Sequence, residues 1–440
     1  MKTTANTVAT ADPPGLLTVS NFASLYNITP LYAKGITGKG RTLAIVTLAN
    51  FTQSDAFAYW TALGLNANPS RLTAINVDGG PGAPSDASGS SETTLDVEQA
   101  GGVAPGANVI VYQAPNTNQG FLDAFAAAIQ NNQADSISTS WGMWELFAGD
   151  SVTDPFSGQF VSFMQATHEL FVEAALLGQS MFAASGDFGA YDSFQFYPPP
   201  AFTFALSVDF PAADTAITAG GSTTLPGKQT FSLVGGGTVS VTVPTERVWG
   251  WDYLQPLCDA LELDAISCGI FPTGSGGGVS VFSRVPFYQL RTPGVQTSQP
   301  GQALVDETTT PPTALFVLPA QFAGRNVPDV SFNADPLTGY AILYTSDVNG
   351  FEVETFMGGG SFVAPQLNGI AALLVQNAGH RLGFLNPLLY GLAPGGSHGP
   401  NAALNTISAG DNWFYSGRNG YSPAAGLGTL NVTNLARLVK

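Results

Sequence analysis

Basic residues are scarce in this sequence. Its 440 residues include 14 Lys and Arg against 31 Asp and Glu, so the formal net charge at pH 7 is −17. Proteins bind nucleic acid and anionic membranes through clustered Lys and Arg, and the sequence contains no such cluster. We therefore expect neither nucleic acid nor a membrane as a partner. Charged residues make up only 10% of the chain, so acidification should create little repulsion, which favours an acidic environment.

Long hydrophobic runs are also missing. A membrane-spanning helix needs about 20 largely apolar residues, and the apolar stretch at residues 362–375 is interrupted by Pro365, Gln366 and Asn368. The start of the chain lacks the apolar segment of a signal peptide, so the sequence does not itself indicate export. We interpret residues 1–17 as a leader or a residual linker.

The chain has only two cysteines, Cys258 and Cys268. They lie ten residues apart in a loop-like stretch and could close a small disulfide, which would favour an oxidising compartment. The alternative is a pair of unrelated thiols. We favour the disulfide.

Several apolar runs predict an α/β fold. β-branched residues at 41–48, 109–112 and 136–140 predict buried strands, and residues 120–131 have helical spacing. This alternation is typical of a mostly parallel central sheet with helices on both faces. No boundary separates regions of different composition, so we expect one domain over residues 18–440. Clusters of Gly, Pro and Ser predict loops within it, at residues 79–91, 197–201 and 274–278.

Ser361 is a candidate nucleophile. It follows three glycines and precedes an apolar segment, residues 367–376, that we predict to be helical. Glycines before a buried helix let the backbone turn sharply and leave a serine hydroxyl exposed at the helix N-terminus. The alternative, common for a serine after glycine, is that Ser361 only caps the helix.

Histidine, the usual base for a serine nucleophile, is rare here. His168 lies in an amphipathic segment, His380 follows the segment after the candidate nucleophile, and His398 lies in a Gly-rich loop. None is embedded in a motif typical of a catalytic histidine. We interpret all three as ordinary surface or helix-end residues.

Carboxylates offer another base. Glu92 and Asp96 are four residues apart, which places them on one face of a helix. Like charges at this spacing repel, and unless water surrounds them the repulsion raises one pKa. The alternative is an ordinary solvated acidic face.

These candidates belong to an ordered set of motifs. The motifs are Glu92-x-x-x-Asp96 with Val-Ala-Pro-Gly-Ala at 103–107, Ser-Thr-Ser-Trp-Gly at 138–142, Ala-Ser-Gly-Asp-Phe-Gly at 184–189, Phe-Pro-Ala at 210–212, Gly-Gly-Ser-Thr at 220–223, Gly-Gly-Gly-Val-Ser at 276–280, Pro-Asp-Val at 328–330 and Asp-Pro-x-Thr-Gly-Tyr at 335–340. From about residue 20 to residue 438 the chain resembles the sedolisin family of serine-carboxyl peptidases. The resemblance implies a subtilisin-like fold.

The resemblance also implies four catalytic roles. Ser361 would attack the scissile carbonyl, Glu92 would accept its proton, and Asp96 would orient Glu92. A carboxylate suits acidic solution, because a histidine with a pKa of about 6.5 is protonated there. Asp187 would stabilise the oxyanion, and since a carboxylic acid donates a hydrogen bond only when protonated, activity should fall above its pKa. The alternative for Asp187 is a turn residue.

The chain departs from the family pattern at several positions. Thr47 occupies a position that is commonly acidic, and Gly360 replaces a common Thr. The family binds calcium through two Asp carboxylates and backbone carbonyls, but Thr406 and Ser422 occupy the two carboxylate positions. Calcium prefers charged oxygen ligands, so we expect this site to be lost or weakened, although Asp411 could partly restore it.

Substrate contacts are expected from Trp141, Ser140, Gly142 and Gly277, and from the aromatic-rich residues 191–210, for which buried core is the alternative. The family is made with a large N-terminal prodomain, and nothing in this sequence resembles it.

We predict a secreted, monomeric endopeptidase that cleaves proteins or peptides in acidic surroundings and needs no cofactor. A histidine-dependent subtilisin-type peptidase, a non-catalytic peptide-binding protein and a tripeptidyl exopeptidase are the alternatives.

Overall fold

The computed structural model describes residues 12–155, 157–233, 236–300, 302–393 and 399–439. The helices are α1 (Val19–Leu25), α2 (Thr29–Tyr32), α3 (Gln53–Ala62), α4 (Ser90–Val103), α5 (Asn118–Gln130), α6 (Phe163–Leu176), α7 (Gln255–Ala260), α8 (Val363–Ala378), α9 (Asn386–Leu392) and α10 (Val432–Ala436). The strands are β1 (Thr42–Thr47), β2 (Leu72–Asn76), β3 (Asn108–Gln113), β4 (Ser136–Thr139), β5 (Met143–Trp144), β6 (Ser151–Thr153), β7 (Phe160–Ser162), β8 (Ser180–Ala184), β9 (Asp209–Phe210), β10 (Thr218–Thr224), β11 (Gly227–Ser232), β12 (Thr238–Val243), β13 (Arg247–Val248), β14 (Gly278–Arg284), β15 (Ala303–Asp306), β16 (Thr313–Val317), β17 (Gly324–Val327), β18 (Val330–Asn333), β19 (Tyr340–Ser346), β20 (Gly350–Met357), β21 (Leu404–Asn405) and β22 (Thr429–Leu430).

A mostly parallel sheet forms the centre of the fold, as expected. Its strand order is β13-β10-β8-β4-β1-β3-β2, and β18 also pairs with β10. Only β13 runs antiparallel to its neighbour among these strands. The remaining strands pair as two-stranded ribbons around the sheet.

Helices cover both faces of the sheet because β1 is apolar on both sides. Leu43 and Ile45 pack in one core cluster with residues of α4 and α8. Ala44 and Val46 point the other way, into a second cluster with residues of α5 and α6. Alternating side chains of one strand therefore fill two separate hydrophobic layers.

The chain reverses its direction across the sheet at β1. From β1 it proceeds to the edge strand β2 and back to β3 on one side, and then to β4, β8 and β10 on the other. In open parallel sheets, the carboxyl ends of the strands at such a switch point form a crevice where ligands bind. Thr47 ends β1, and residues 138–142 and 184–189 run past the ends of β4 and β8. The motif residues therefore meet at this edge.

The element predictions are confirmed with small differences. The helix expected at residues 367–376 extends over Val363–Ala378, and the strands expected at 41–48 and 136–140 are each shorter by one or two residues. The loop predicted at residues 79–91 is shorter in the structure. It contains a short turn of 3-10 helix, and α4 already begins at Ser90.

Cys258 and Cys268 are joined by a disulfide, which confirms that prediction. Within the described residues, no helix combines the length and the hydrophobicity needed to cross a bilayer. His398 and residues 1–11 of the expected leader lie outside the described residues.

Candidate active site

Ser361 lies in a single turn of 3-10 helix, Gly360–Phe362, that leads directly into α8. The N-cap of α8 is Phe362 and that of the short turn is Gly359, and neither helix start is capped by a side chain. The capping interpretation of Ser361 is therefore wrong. Gly359 has a φ of 103°, and a Cβ atom there would lie 2.7 Å from Asp187 Oδ2, so the turn before Ser361 requires glycine.

Glu92 and Asp96 project from successive turns of α4, and Asp96 is fully buried. The Ser140 hydroxyl donates a 2.5 Å hydrogen bond to Asp96 Oδ1 and lies 3.0 Å from the carbonyl oxygen of Ser361. The Ser361 hydroxyl also lies close enough to Glu92 to lower the pKa of its carboxyl in part. The structure thus brings α4, the end of β4 and the start of α8 together, and the solvated-face interpretation of this acidic pair is wrong.

Burial dominates the protonation of Glu92 and Asp96. It raises the pKa of Glu92 to about 7, although hydrogen bonds from Ser361 and Ser140 act in the opposite direction. Burial and the charge of Glu92 raise the pKa of Asp96 well above its ordinary value. Glu92 Oε1 and Asp96 Oδ2 are buried without a hydrogen-bond partner. A proton on Asp96 that is shared with Glu92 would satisfy both oxygens.

Asp187 lies opposite Glu92, on the loop after β8. Its Oδ1 accepts a 2.6 Å hydrogen bond from the backbone N–H of Gly360. Burial raises the pKa of Asp187 to about 6, and the hydrogen bond from Gly360 lowers it in part. Asp187 is therefore protonated in acidic solution, the form in which it can donate a hydrogen bond. The hydrogen bonds of Ser140 and of the Gly360 N–H thus bring together the segments that carry the four residues expected to be catalytic, and we call this place the catalytic cleft.

Thr47 connects this cleft to Trp141. Its hydroxyl accepts a 2.9 Å hydrogen bond from the Trp141 indole N–H and lies 2.7 Å from the hydroxyl of Thr93. Thr93 in turn donates to the backbone oxygen of Ala49. A hydroxyl network thus occupies the place where the family resemblance implies an additional acid, and it holds the Trp141 ring at the edge of the cleft.

A model described as the subtilase family matches residues 82–386, well over half of the chain. This chain belongs to the subtilase family. The matched range contains Glu92, Asp96, Asp187 and Ser361.

Two curated relatives resemble this subtilase over most of its length. Kumamolisin from Bacillus sp. strain MN-32 is 31% identical over 403 residues, which cover 90% of this chain and 60% of kumamolisin. Sedolisin from Pseudomonas sp. strain 101 is 26% identical over 415 residues, which cover 92% of this chain and 58% of sedolisin. The subtilase thus spans 58 to 60% of the length of these relatives.

A solved structure also resembles it. Pseudomonas sedolisin, a serine-carboxyl proteinase complexed with two molecules of pseudo-iodotyrostatin, superposes with a TM-score of 0.68 at 23% sequence identity, covering 98% of this chain and 99% of that one. Together with the relatives, this likeness confirms the predicted sedolisin-like chain and its subtilisin-like fold.

The expected substrate-contact residues have different surroundings in the subtilase. Trp141 is half-buried and Gly142 is exposed. Ser140 instead bonds inside the cleft, as described above. Gly277 is buried, and its backbone oxygen accepts a hydrogen bond from the Asn412 amide. A Cβ atom at Gly277 would lie 2.3 Å from the backbone oxygen of Pro423.

Three acidic residues near Asp187 were not singled out from the sequence. Asp192, Asp209 and Glu145 are buried, and Asp192 and Asp209 each retain an oxygen without a hydrogen-bond partner. Burial and the charge of Asp187 raise the pKa of Asp192 to about 7, and burial raises that of Glu145 to about 8. Asp209 directly precedes the Phe-Pro-Ala motif, and this position next to a motif could have identified it as a candidate from the sequence.

The histidines make other contacts. His168 Nδ1 lies 2.8 Å from Asp214 Oδ2 on the α6 side of the molecule. His380 follows α8 and its Nδ1 lies 2.8 Å from the backbone oxygen of Arg381. Neither of these two described histidines has a contact with Ser361, as expected from the sequence.

The calcium positions of the family hold hydroxyl groups here. Ser422 is buried, and its hydroxyl accepts a hydrogen bond from the Ala425 N–H. Thr406 is half-buried. Asp411, the possible replacement, accepts from the backbone N–H of Trp413. In the part of the chain that the structure describes, no three His, Cys, Asp or Glu side chains are grouped to hold a metal. The oxygen groups at these positions do not fit a calcium site built from two carboxylates. Loss of the calcium site stays a prediction.

Proposed function

We propose that this chain is a serine-carboxyl endopeptidase that hydrolyses peptide bonds in acidic solution through an acyl-enzyme on Ser361. The placement of Ser361 beside the acidic pair of α4 carries the proposal: Ser140 donates hydrogen bonds both to Asp96 Oδ1 and to the backbone oxygen of Ser361. It pairs a nucleophile with a base at the N-terminus of α8. The contacts of His168 and His380 with other groups favour this carboxylate mechanism over a histidine-dependent one.

The reaction begins when Ser361 Oγ attacks the scissile carbonyl carbon. The hydroxyl proton moves to Glu92, and the negative charge that develops on the carbonyl oxygen is stabilised by a hydrogen bond from protonated Asp187. Glu92 then gives its proton to the leaving amine, and the C–N bond breaks. In the second half, Glu92 takes a proton from water, and the water oxygen attacks the ester carbon. The ester C–O bond then breaks, Glu92 returns the proton to Ser361 Oγ, and the acid product leaves.

Asp96 acts through Glu92 as a positioning residue. Its raised pKa keeps it protonated, and its proton can bond to the ionised form of Glu92. A hydrogen bond to an ionised carboxylate stabilises that form, so this bond lowers the pKa of Glu92 and extends its use as a base toward acidic pH. Ser140 fixes the other oxygen of Asp96.

The substrates that we propose are proteins or peptides, and we propose that the enzyme is a secreted monomer. The likeness to Pseudomonas sedolisin, a serine-carboxyl proteinase, supports the peptide substrates. Internal cleavage of the substrate chain is also our proposal.

The central experiment is the replacement Ser361→Ala. We expect it to reduce hydrolysis of denatured protein by about a millionfold or to background, since removal of the nucleophile in a serine peptidase has effects of this size. A matched control is Ser151→Ala, which removes an exposed hydroxyl on β6 and should leave the rate unchanged.

Hydrolysis should be measured from pH 2 to pH 8 with a folded sample, as judged by circular dichroism. Activity of Ser361→Ala equal to that of the unaltered protein would exclude the serine mechanism. A folded protein that is inactive at every pH would favour a peptide-binding protein instead.

A further inference from the structure

Six aromatic rings form a continuous surface network beside Asp187, which we call the aromatic shelf. The shelf consists of Phe188, Tyr191, Phe194, Phe204, Phe271 and Trp413. Ring centroids of Phe204 and Phe271 are 5.0 Å apart, and those of Phe271 and Trp413 are 5.1 Å apart. Phe194 stacks against both Phe188 and Phe204 at 6.2 Å.

The rings of the shelf lie between the core and the solvent. Tyr191 and Trp413 pack against core clusters, none of the six rings is fully buried, and Phe204 is 38% exposed. Aromatic side chains carry much apolar area and normally bury it. An anchored network of six rings that leaves apolar area accessible at Phe204 is therefore suited to bind apolar groups. The expectation that residues 191–210 contact substrate thus becomes specific to this shelf.

The shelf is fixed to the loop that carries Asp187. Phe188 follows Asp187 in the chain, and the Asp187 backbone oxygen accepts a 2.9 Å hydrogen bond from Gly274 N–H. The Gly274 oxygen accepts in return from Gly189 N–H at 3.0 Å. Phe271 lies three residues before Gly274. These bonds tie the segment that carries Phe188 to the segment that follows Phe271, directly beside Asp187.

Trp413 is held in the shelf at the cost of backbone strain. Its φ of 74° lies in the left-handed region, which a bulky residue rarely adopts. Asp411 Oδ1 accepts from its backbone N–H, and its indole N–H donates a 3.0 Å hydrogen bond to the oxygen of Thr273. Strained residues of this kind persist where the surroundings enforce them, commonly at functional sites.

We propose that the aromatic shelf binds aromatic or large aliphatic side chains of the peptide substrate, at positions away from the scissile bond. The inference rests on the proposed peptidase function. It makes the enzyme selective for apolar segments, such as those that unfolded proteins expose. The shelf contributes stacking and apolar contact and no charged group, so it should discriminate by ring or chain size and not by charge.

The test separates binding from catalysis by using the folded Ser361→Ala protein. Fluorescein-labelled ten-residue peptides of Ala and Ser, each with one Phe at a different position, are titrated at pH 4 and followed by anisotropy. We expect one or two positions at which Phe tightens binding by about tenfold over the all-Ala/Ser peptide, the effect of burying one aromatic contact of about 1.4 kcal/mol.

Phe204→Ala should remove this preference, and Phe204→Tyr should retain it. Phe351→Ala is the matched control, since Phe351 is an exposed ring on β20, outside the shelf. In the enzyme with Ser361 intact, Phe204→Ala should raise KM for the preferred peptide with little change in kcat.

A preference for Phe that survives Phe204→Ala, or the absence of any preference in a protein that still cleaves peptides, overturns the inference and leaves the peptidase proposal standing. Preferential binding by a protein that never cleaves would support the shelf and refute the peptidase proposal.

Discussion

Gly359 and Gly360 differ sharply in what they tolerate, although they are neighbours. A Cβ atom at Gly359 would lie 2.7 Å from Asp187 Oδ2, whereas one at Gly360 would lie at an ordinary distance of 3.4 Å from Asp187 Oδ1. The turn that presents the nucleophile therefore depends on the first glycine. The second, which departs from the family pattern, leaves room for a larger side chain.

We predict that Gly359→Ala lowers kcat/KM by about a hundredfold, because a displacement of about 1 Å at a catalytic group has an effect of this order. Gly360→Ala, the control, should change kcat/KM by less than about threefold, since additional contacts at ordinary distance cost little. Both are measured with one peptide, with thermal melting as a check on folding. Equal losses in the two variants would contradict this account of the turn.

Asp187 determines the upper end of the pH range. Its pKa of about 6 means that the donating proton is lost as the pH rises through that value, so kcat/KM should fall above about pH 6. Asp187→Asn keeps a donor that does not titrate. We predict that this variant extends activity upward in pH, as measured from kcat/KM between pH 3 and pH 9. An unchanged upper limb would assign that titration to another group.

For single residues, the sequence was enough to predict the candidate catalytic side chains but not the buried groups that surround them. Glu92, Asp96 and Ser361 were recognisable because their chemistry depends on spacing and on neighbouring glycines. Burial of Asp192 and Glu145 was not recognisable, because it results from the packing of distant segments. The sequence predicted that repulsion raises one pKa of the Glu92–Asp96 pair, but burial as the largest cause of the raised Glu92 pKa could not be anticipated, for the same reason.

Among the elements, the disulfide segment is the simplest to test. Cys258 lies in α7, and a disulfide joins it to Cys268 in the short loop that follows this helix. Cys258 is fully buried. Closing a loop of about ten residues stabilises a protein by roughly 2 to 3 kcal/mol, mainly through the unfolded chain. The segment lies in a small core cluster of its own, so its loss should not disturb α4 or α8.

We predict that the double variant Cys258→Ala, Cys268→Ala lowers the free energy of unfolding by about 2 kcal/mol and leaves kcat within about twofold. Urea unfolding and peptide hydrolysis measure the two effects, and the unaltered protein with reductant is the comparison. A large loss of kcat in a folded variant would show that this loop supports the cleft.

Long elements were predictable and short ones were not. The buried strands β1 and β3 and the helix α8 are long enough for their apolar residues to form a recognisable pattern. The two-residue strands β5 and β9 pair with each other across the sequence, and nothing in so few residues signals their pairing. Their positions depend on the tertiary fold, which also places Asp209 near Gly142.

For the whole molecule, the buried carboxyls determine how stability depends on pH. Glu145 and Asp192 have pKa values raised by burial to about 8 and about 7, and burial also raises the pKa of Glu98 and Asp209. The folded protein retains these protons, whereas the unfolded chain releases them above about pH 4. Their contribution to stability is complete below about pH 4 and is lost as the pH rises.

We predict that the melting temperature decreases from pH 4.5 to pH 8, measured by calorimetry at constant ionic strength. Glu145→Gln should flatten this dependence, because its amide carries no proton that the unfolded chain can release. Asp150→Asn, at an exposed position, is the control and should not. A melting temperature that rises toward pH 8 would contradict the prediction.

The one-sided arrangement of the sheet has a practical consequence for handling the protein. All the catalytic groups lie at the carboxyl ends of the parallel strands, while Lys39 precedes β1 and its N–H donates to Gln376, near the far end of α8. Lys34 is close to it in the chain and both are exposed. Coupling to an amine-reactive resin at these two lysines would thus orient the cleft toward the liquid and leave it accessible to large substrates.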